Sequence, residues 1–170
     1  MYDVVLLVEE ELTEPDALRV VELHREAPDV VRYHLVLPCD NFAANIEAGL
    51  ANLGSADLYA MGPAEQQVEL AAEARRSADD QAAASLGRSI KRLTALGRHA
   101  DGSITHERPI DALREQVKRV DGQAVVILTR PHLVAEFFHA DWSAQARRHL
   151  GVPVFQLFKQ NQGRRPATAS

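Results

Sequence analysis

The run Ala124-Val125-Val126-Ile127-Leu128 is apolar at every position and rich in β-branched side chains. A strand with no polar position has no face to give to water, so it must be covered on both sides, as strands inside parallel sheets are. Val4 to Val8 repeats the pattern. Tyr33 to Leu37, halted by Pro38, and Val152 to Phe158 read as two more strands, and Ser103 to Glu107 as a modest fifth.

The stretches between them read as helices. Thr13 with Asp16 forms a capping box, Pro15 suits a first turn, and Leu18, Val21 and Leu23 supply an apolar side before Pro28. Asp40 or Asn41 caps a short helix through Ile46 and Leu50. Pro63 to about Leu96 is rich in Ala, Glu, Gln and Arg, with Leu86, Ile90, Leu93 and Leu96 at helical spacing. It reads as one long or broken helix, with Asp79-Asp80 and Gly87 as the expected breaks. Pro109 opens a helix carrying Ile110, Leu113 and Val117, closed at Asp121-Gly122, and Pro131 starts another that Gly151 closes. Strands alternating with helices predict an α/β fold: a three-layer, open, parallel five-stranded sheet with right-handed crossovers. The strands are expected near 4–8, 33–37, 103–107, 124–129 and 153–158. One domain spans 1–158, and 159–170 forms a polar, disordered tail.

Composition narrows the function classes. The chain has 170 residues, 46% hydrophobic and 25% charged, which suits one globular domain with a real core. A formal charge of -5 provides no field for nucleic acid or anionic membrane. Cys39 is the sole cysteine and has no partner within the chain. No apolar run reaches the length of a membrane or signal segment, so a cytoplasmic protein is expected. Nucleophile elbow, Walker loop and paired-cysteine motifs are absent.

Several short pieces in fixed order carry a family likeness. They are Ile110-Asp111-Ala112-Leu113 after Pro109, Ala124 to Thr129-Arg130, Arg148-His149, and Val152-Pro153-Val154. Over residues 2–158 the chain resembles the universal stress protein family. The resemblance implies strand order 3-2-1-4-5, with a ligand crevice between the first and fourth strands, where strand order reverses. Glu9, Glu10, Leu37, Thr129, Arg130, His132 and Asp141 are the candidate pocket residues. Glu9 stands where ATP-binding members carry an acidic residue, and Thr129-Arg130 match the end of their fourth strand.

ATP-binding members also carry a glycine-rich stretch after the fourth strand, because backbone amides must approach phosphate closely. This chain has no glycine between Gly122 and Gly151. Ala140-Asp141 stands where Gly-Ser/Thr is expected, and Arg130-Pro131 replaces Arg-Gly. Proline supplies no amide, and a carboxylate repels phosphate. The expectation is a non-catalytic domain with a lost ATP site and no cofactor, which binds a protein partner or small ligand. The alternative is an adenine-nucleotide binder, holding ATP or AMP through Arg130 and helix amides, with slow hydrolysis.

Other groups have plainer explanations. His132, His139 and Asp141 match no metal-ligand spacing, and no metal is predicted. Asp40 raises rather than lowers the thiol pKa of neighbouring Cys39, so that residue reads as a small apolar side chain. Trp142 and Phe137-Phe138 read as core or partner packing. The last strand, by contrast, carries Val152, Val154, Phe155, Leu157 and Phe158 on both faces at a sheet edge. The resemblance implies dimerisation there, and a homodimer joined along 152–158 is expected.

Overall fold

The computed structural model describes residues 1–27, 30–39, 64–129 and 148–159, with the side chains of 64–67 excepted. Five strands form one sheet in the order β3-β2-β1-β4-β5. They are β1 (Tyr2–Val8), β2 (Val31–Pro38), β3 (His99–Thr105), β4 (Ala124–Thr129) and β5 (Val154–Phe158), and every pairing is parallel. Three helices are described in full: α1 (Glu14–Leu23), α2 (Ala64–Ala95) and α3 (Pro109–Val120).

The sheet has two apolar faces, because side chains alternate along each strand. On one face Val4, Leu6, Val8, Tyr33, Leu35, Val126 and Leu128 meet Ala17 and Val20 of α1 and Leu86 and Leu93 of α2. On the other, Val5, Leu7, Val36, Val125 and Ile127 meet Ala112, Leu113 and Val117 of α3. All six residues of β4 are buried, as its unbroken apolar run requires.

The capping box at α1 forms as expected: Thr13 Oγ1 accepts from the Asp16 amide and donates to the Asp16 carboxylate at 2.6 Å. Its buried face differs from the expectation. Leu18 and Leu23 are exposed, whereas Asp16, Ala17 and Val20 are buried, so α1 lies on the sheet through its small side chains. α2 runs 32 residues with no break at Asp79-Asp80 or Gly87. Its length is about 48 Å. Only its second half is seated, through Ala82, Leu86, Ile90 and Leu93, while Val68 and Leu70 stand in solvent.

β3 begins four residues earlier than expected, at His99 rather than 103. It is an edge strand that few apolar residues announce. Gly102 explains its fit, since a Cβ there would stand 2.8 Å from the Leu35 carbonyl oxygen and 2.9 Å from Leu86 Cδ1. The absence of that carbon lets α2 close on the sheet. α3 ends at Asp121 in the left-handed conformation (φ 52°), and the expected helix starts at Asp40 and Pro131 lie outside the described residues.

Candidate functional site

The carboxyl ends of β1 and β4 lie side by side, with Val8 opposite Leu128. Strand order reverses here, the position at which open α/β sheets bind ligands. After β1 the chain turns through Glu9-Glu10-Glu11, and β4 closes on Thr129. Glu9 is half-buried and Glu10 exposed. Thr129 is 4% exposed. Its carbonyl accepts from the Lys159 amide at 2.9 Å, and its hydroxyl has no hydrogen-bond partner among the described residues. Leu37 is buried in the α1–α2 side of the core. Arg130, His132 and Asp141 lie outside the described residues, as do His139, Phe137, Phe138 and Trp142.

The loop after β1 is held by cations that the sequence reading missed. Lys159 Nζ donates to Glu10 Oε1 at 2.8 Å and to the Glu11 carbonyl at 2.9 Å. Arg88 Nε donates to Glu11 Oε2 at 2.6 Å, and Arg92 reaches both Glu11 Oε1 and the Leu12 carbonyl. Burial pushes the Glu11 carboxyl up, but hydrogen bonds and charge from Arg88 and Arg92 outweigh it and leave the group below its ordinary value. Ser89 Oγ accepts from the Leu12 amide at 2.9 Å. One edge of the crevice is thereby clamped to α2 and to the residue after β5. These partners lie roughly 75 to 150 residues from the loop in sequence, and no local spacing could have announced them.

A second concavity lies on the α3 face. An open cavity of about 240 Å³ is bounded by Val36 and Thr105 on the sheet and by Gln116 and Arg119 on α3. Gln116 is 5% exposed, its Oε1 accepts from Arg119, and its Nε2 has no hydrogen-bond partner among the described residues.

β5 presents the expected edge. Pro153 and Lys159 bond inward to β4, so the alternation of a parallel ladder turns the N–H and C=O groups of Val154, Gln156 and Phe158 outward. Pro153 falls at the start of the pairing, where its missing amide costs nothing. Val154 is buried against the α3 side, Val152 is half-buried beside it, and Leu157 packs on the α1–α2 side. Phe155 and Phe158 are 39% and 44% exposed. Arg19 of α1 donates to the Phe158 carbonyl. Phe155 also meets the His24 ring edge-on, with centroids 6.3 Å apart, and His24 in turn meets Tyr33. Burial pushes the Tyr33 hydroxyl up to about 12 and holds His24 below its ordinary value.

An open, doubly wound parallel sheet with a switch-point crevice defines a class of α/β sandwich. Within that class the fold is that of universal stress proteins. A structure of the hypothetical protein MJ0577, used for a structure-based assignment of biochemical function, superposes with a TM-score of 0.63 at 12% identity, over 94% of this chain and 97% of that one. A universal stress protein from Archaeoglobus fulgidus gives 0.52 at 14% identity, over 92% and 93%. A family protein from Arabidopsis thaliana with AMP bound gives 0.51 at 14% identity, over 95% and 94%. No family profile matches the chain, and no curated protein matches it. Among the described residues no helix is long and apolar enough to cross a membrane.

Proposed function

We propose that this chain is a non-catalytic domain of universal stress protein fold, which lacks a triphosphate site and works by binding a protein partner or a small ligand. The observation that carries the reading is the glycine-free stretch from Gln123 to Leu150, which contains Pro131 and Asp141. Each glycine amide missing from a phosphate cradle forfeits about 1 kcal/mol, and several are missing. The clamped Glu10 and Glu11 add a second obstacle, since their cations are already engaged. Calorimetry with ATP tests it: no binding is expected up to about 1 mM. Saturable binding below that concentration overturns it. Native mass spectrometry of the protein as purified then shows which small ligand, if any, it retains.

A second reading, a nucleoside monophosphate site at the same crevice, is favoured by the buried, unpartnered Thr129 hydroxyl. Structural neighbours have been solved with cAMP and with AMP. Binding of AMP that Thr129→Val weakens, with ATP still silent, selects this reading over the first.

The working unit in the proposal is a homodimer joined along 152–158, in which Phe155 and Phe158 become buried. Two-fold pairing satisfies the outward groups of both β5 strands at once.

A further inference from the structure

The carboxyl ends of β2 and β3 bring together three side chains that the proposed function does not use. Cys39 follows β2 directly, and its amide donates to the Thr105 carbonyl at 2.8 Å, extending the ladder one residue beyond the strand. His106 follows β3 directly. The Thr105 hydroxyl accepts from the Glu107 amide at 3.1 Å and so fixes the turn that carries His106. Asp79 reaches the same point from α2, with its Oδ1 3.3 Å from His106 Nε2. One ligand atom from each of the three lies within 4.8 Å of the others.

Asp79 Oδ1 is buried yet makes no hydrogen bond, even with the imidazole nitrogen so close. A buried carboxylate oxygen without a donor is costly, and a cation at the shared point removes that cost. The donor set is one thiolate, one imidazole and one carboxylate. Thiolate and imidazole together select a borderline-soft divalent ion over calcium or magnesium. Two negative ligands also neutralise its charge. Tetrahedral coordination at about 2.0–2.3 Å places ligand atoms roughly 3.3–3.8 Å apart, so the widest pair here need close by only about 1 Å.

We propose that Cys39, Asp79 and His106 form a zinc-class cation site, with the fourth position open to water. Half-exposed His106 leaves the site accessible from solvent. The cation would tie α2 to the ends of β2 and β3 at the far side of the sheet from the nucleotide crevice of the fold. No motif spacing announces the set, since its members are separated by 40 and 27 residues.

The test is titration of chelator-treated full-length protein with Co²⁺, followed by displacement with Zn²⁺. One Co²⁺ per chain is expected, with a thiolate-to-cobalt absorption band that one equivalent of Zn²⁺ removes. Cys39→Ala abolishes the band, and Asp79→Asn and His106→Gln each weaken Co²⁺ binding by about 100-fold or more. Circular dichroism confirms that each variant is folded, and the half-exposed His106 makes His106→Gln the least intrusive of them. A wild type without the band overturns the proposal. So does cobalt binding that survives Asp79→Asn and His106→Gln, which would move the ion to other residues such as His132, His139 and Asp141.

Discussion

The two edges of the sheet are built on opposite terms. β3 reads His-Ala-Asp-Gly-Ser-Ile-Thr, with His99, Asp101 and Gly102 exposed. Asp101 accepts a hydrogen bond from His34, at 2.8 Å, and α2 lies directly over the strand. β5 reads Val-Phe-Gln-Leu-Phe, and two phenylalanines face solvent. Polar and charged side chains discourage another strand from docking on an edge, whereas a bare apolar edge invites one. A parallel sheet can therefore reserve one boundary for solvent and the other for an interface, and composition alone separates them.

The largest effect is expected at β5. The Phe155→Asp, Phe158→Asp double variant should be monomeric in sedimentation where the wild type is a dimer, with about 2 kcal/mol lost per phenylalanine per copy. A monomeric wild type, or a folded double variant that stays dimeric, removes the distinction between the edges. At β3 the sensitive position is internal. Gly102→Ala should lower stability by about 2 kcal/mol, because the added carbon meets backbone at Leu35. Urea unfolding should show this as a lower midpoint at unchanged slope; an unchanged midpoint would mean α2 does not press on β3 in solution.

Acid should weaken the β5 side first. His24 Nδ1 lies 3.1 Å from the Val20 carbonyl, while its buried Nε2 has no partner, the arrangement of a neutral ring protonated on Nδ1. Because burial lowers its folded-state pKa below 6.5, the unfolded chain takes up the proton first as pH falls. The stability from neutral His24 is complete above about pH 6.5 and drains below it. Between pH 7.5 and 5.5 the urea midpoint should fall further for the wild type than for His24→Gln, and equal falls would discard this account. The smallest effect is expected from Arg19→Ala, which uncaps the Phe158 carbonyl on a half-exposed surface. About 0.5 kcal/mol of monomer stability is at stake, and a loss several times larger in thermal unfolding would make Arg19 part of the core rather than of the edge.

The same contrast explains what could be read from sequence. Strands β1, β2, β4 and β5 were legible because burial on both faces leaves an unbroken apolar run, as at Val4 to Val8. β3 was displaced because an edge strand beside solvent can be polar, and Gly102, which secures its packing, reads as a turn signal. In α1 the longer side chains Leu18 and Leu23 misled, since close approach to the sheet favours Ala17 and Val20. The crevice end was located by the switch-point rule applied to the order that the resemblance implied. The cations on Glu10 and Glu11, and the gathering of Cys39, Asp79 and His106, depend on crossovers that bring distant residues together. Such sets have no local period to detect.

The central place of β1 has a consequence for biosynthesis. One edge of β1 is covered by β2, which follows within about 30 residues, but the other waits for β4, about 120 residues later. At roughly 5–20 residues per second, that edge stays open on the ribosome for about 6–24 s. During this interval Val4 to Val8 is a nascent apolar segment with unpaired backbone groups, open to trigger-type chaperones or to a neighbouring nascent chain. Codon choice between Pro38 and Gly122 should therefore influence soluble yield more than codon choice after Leu128, where the last strand joins a sheet already closed at its centre.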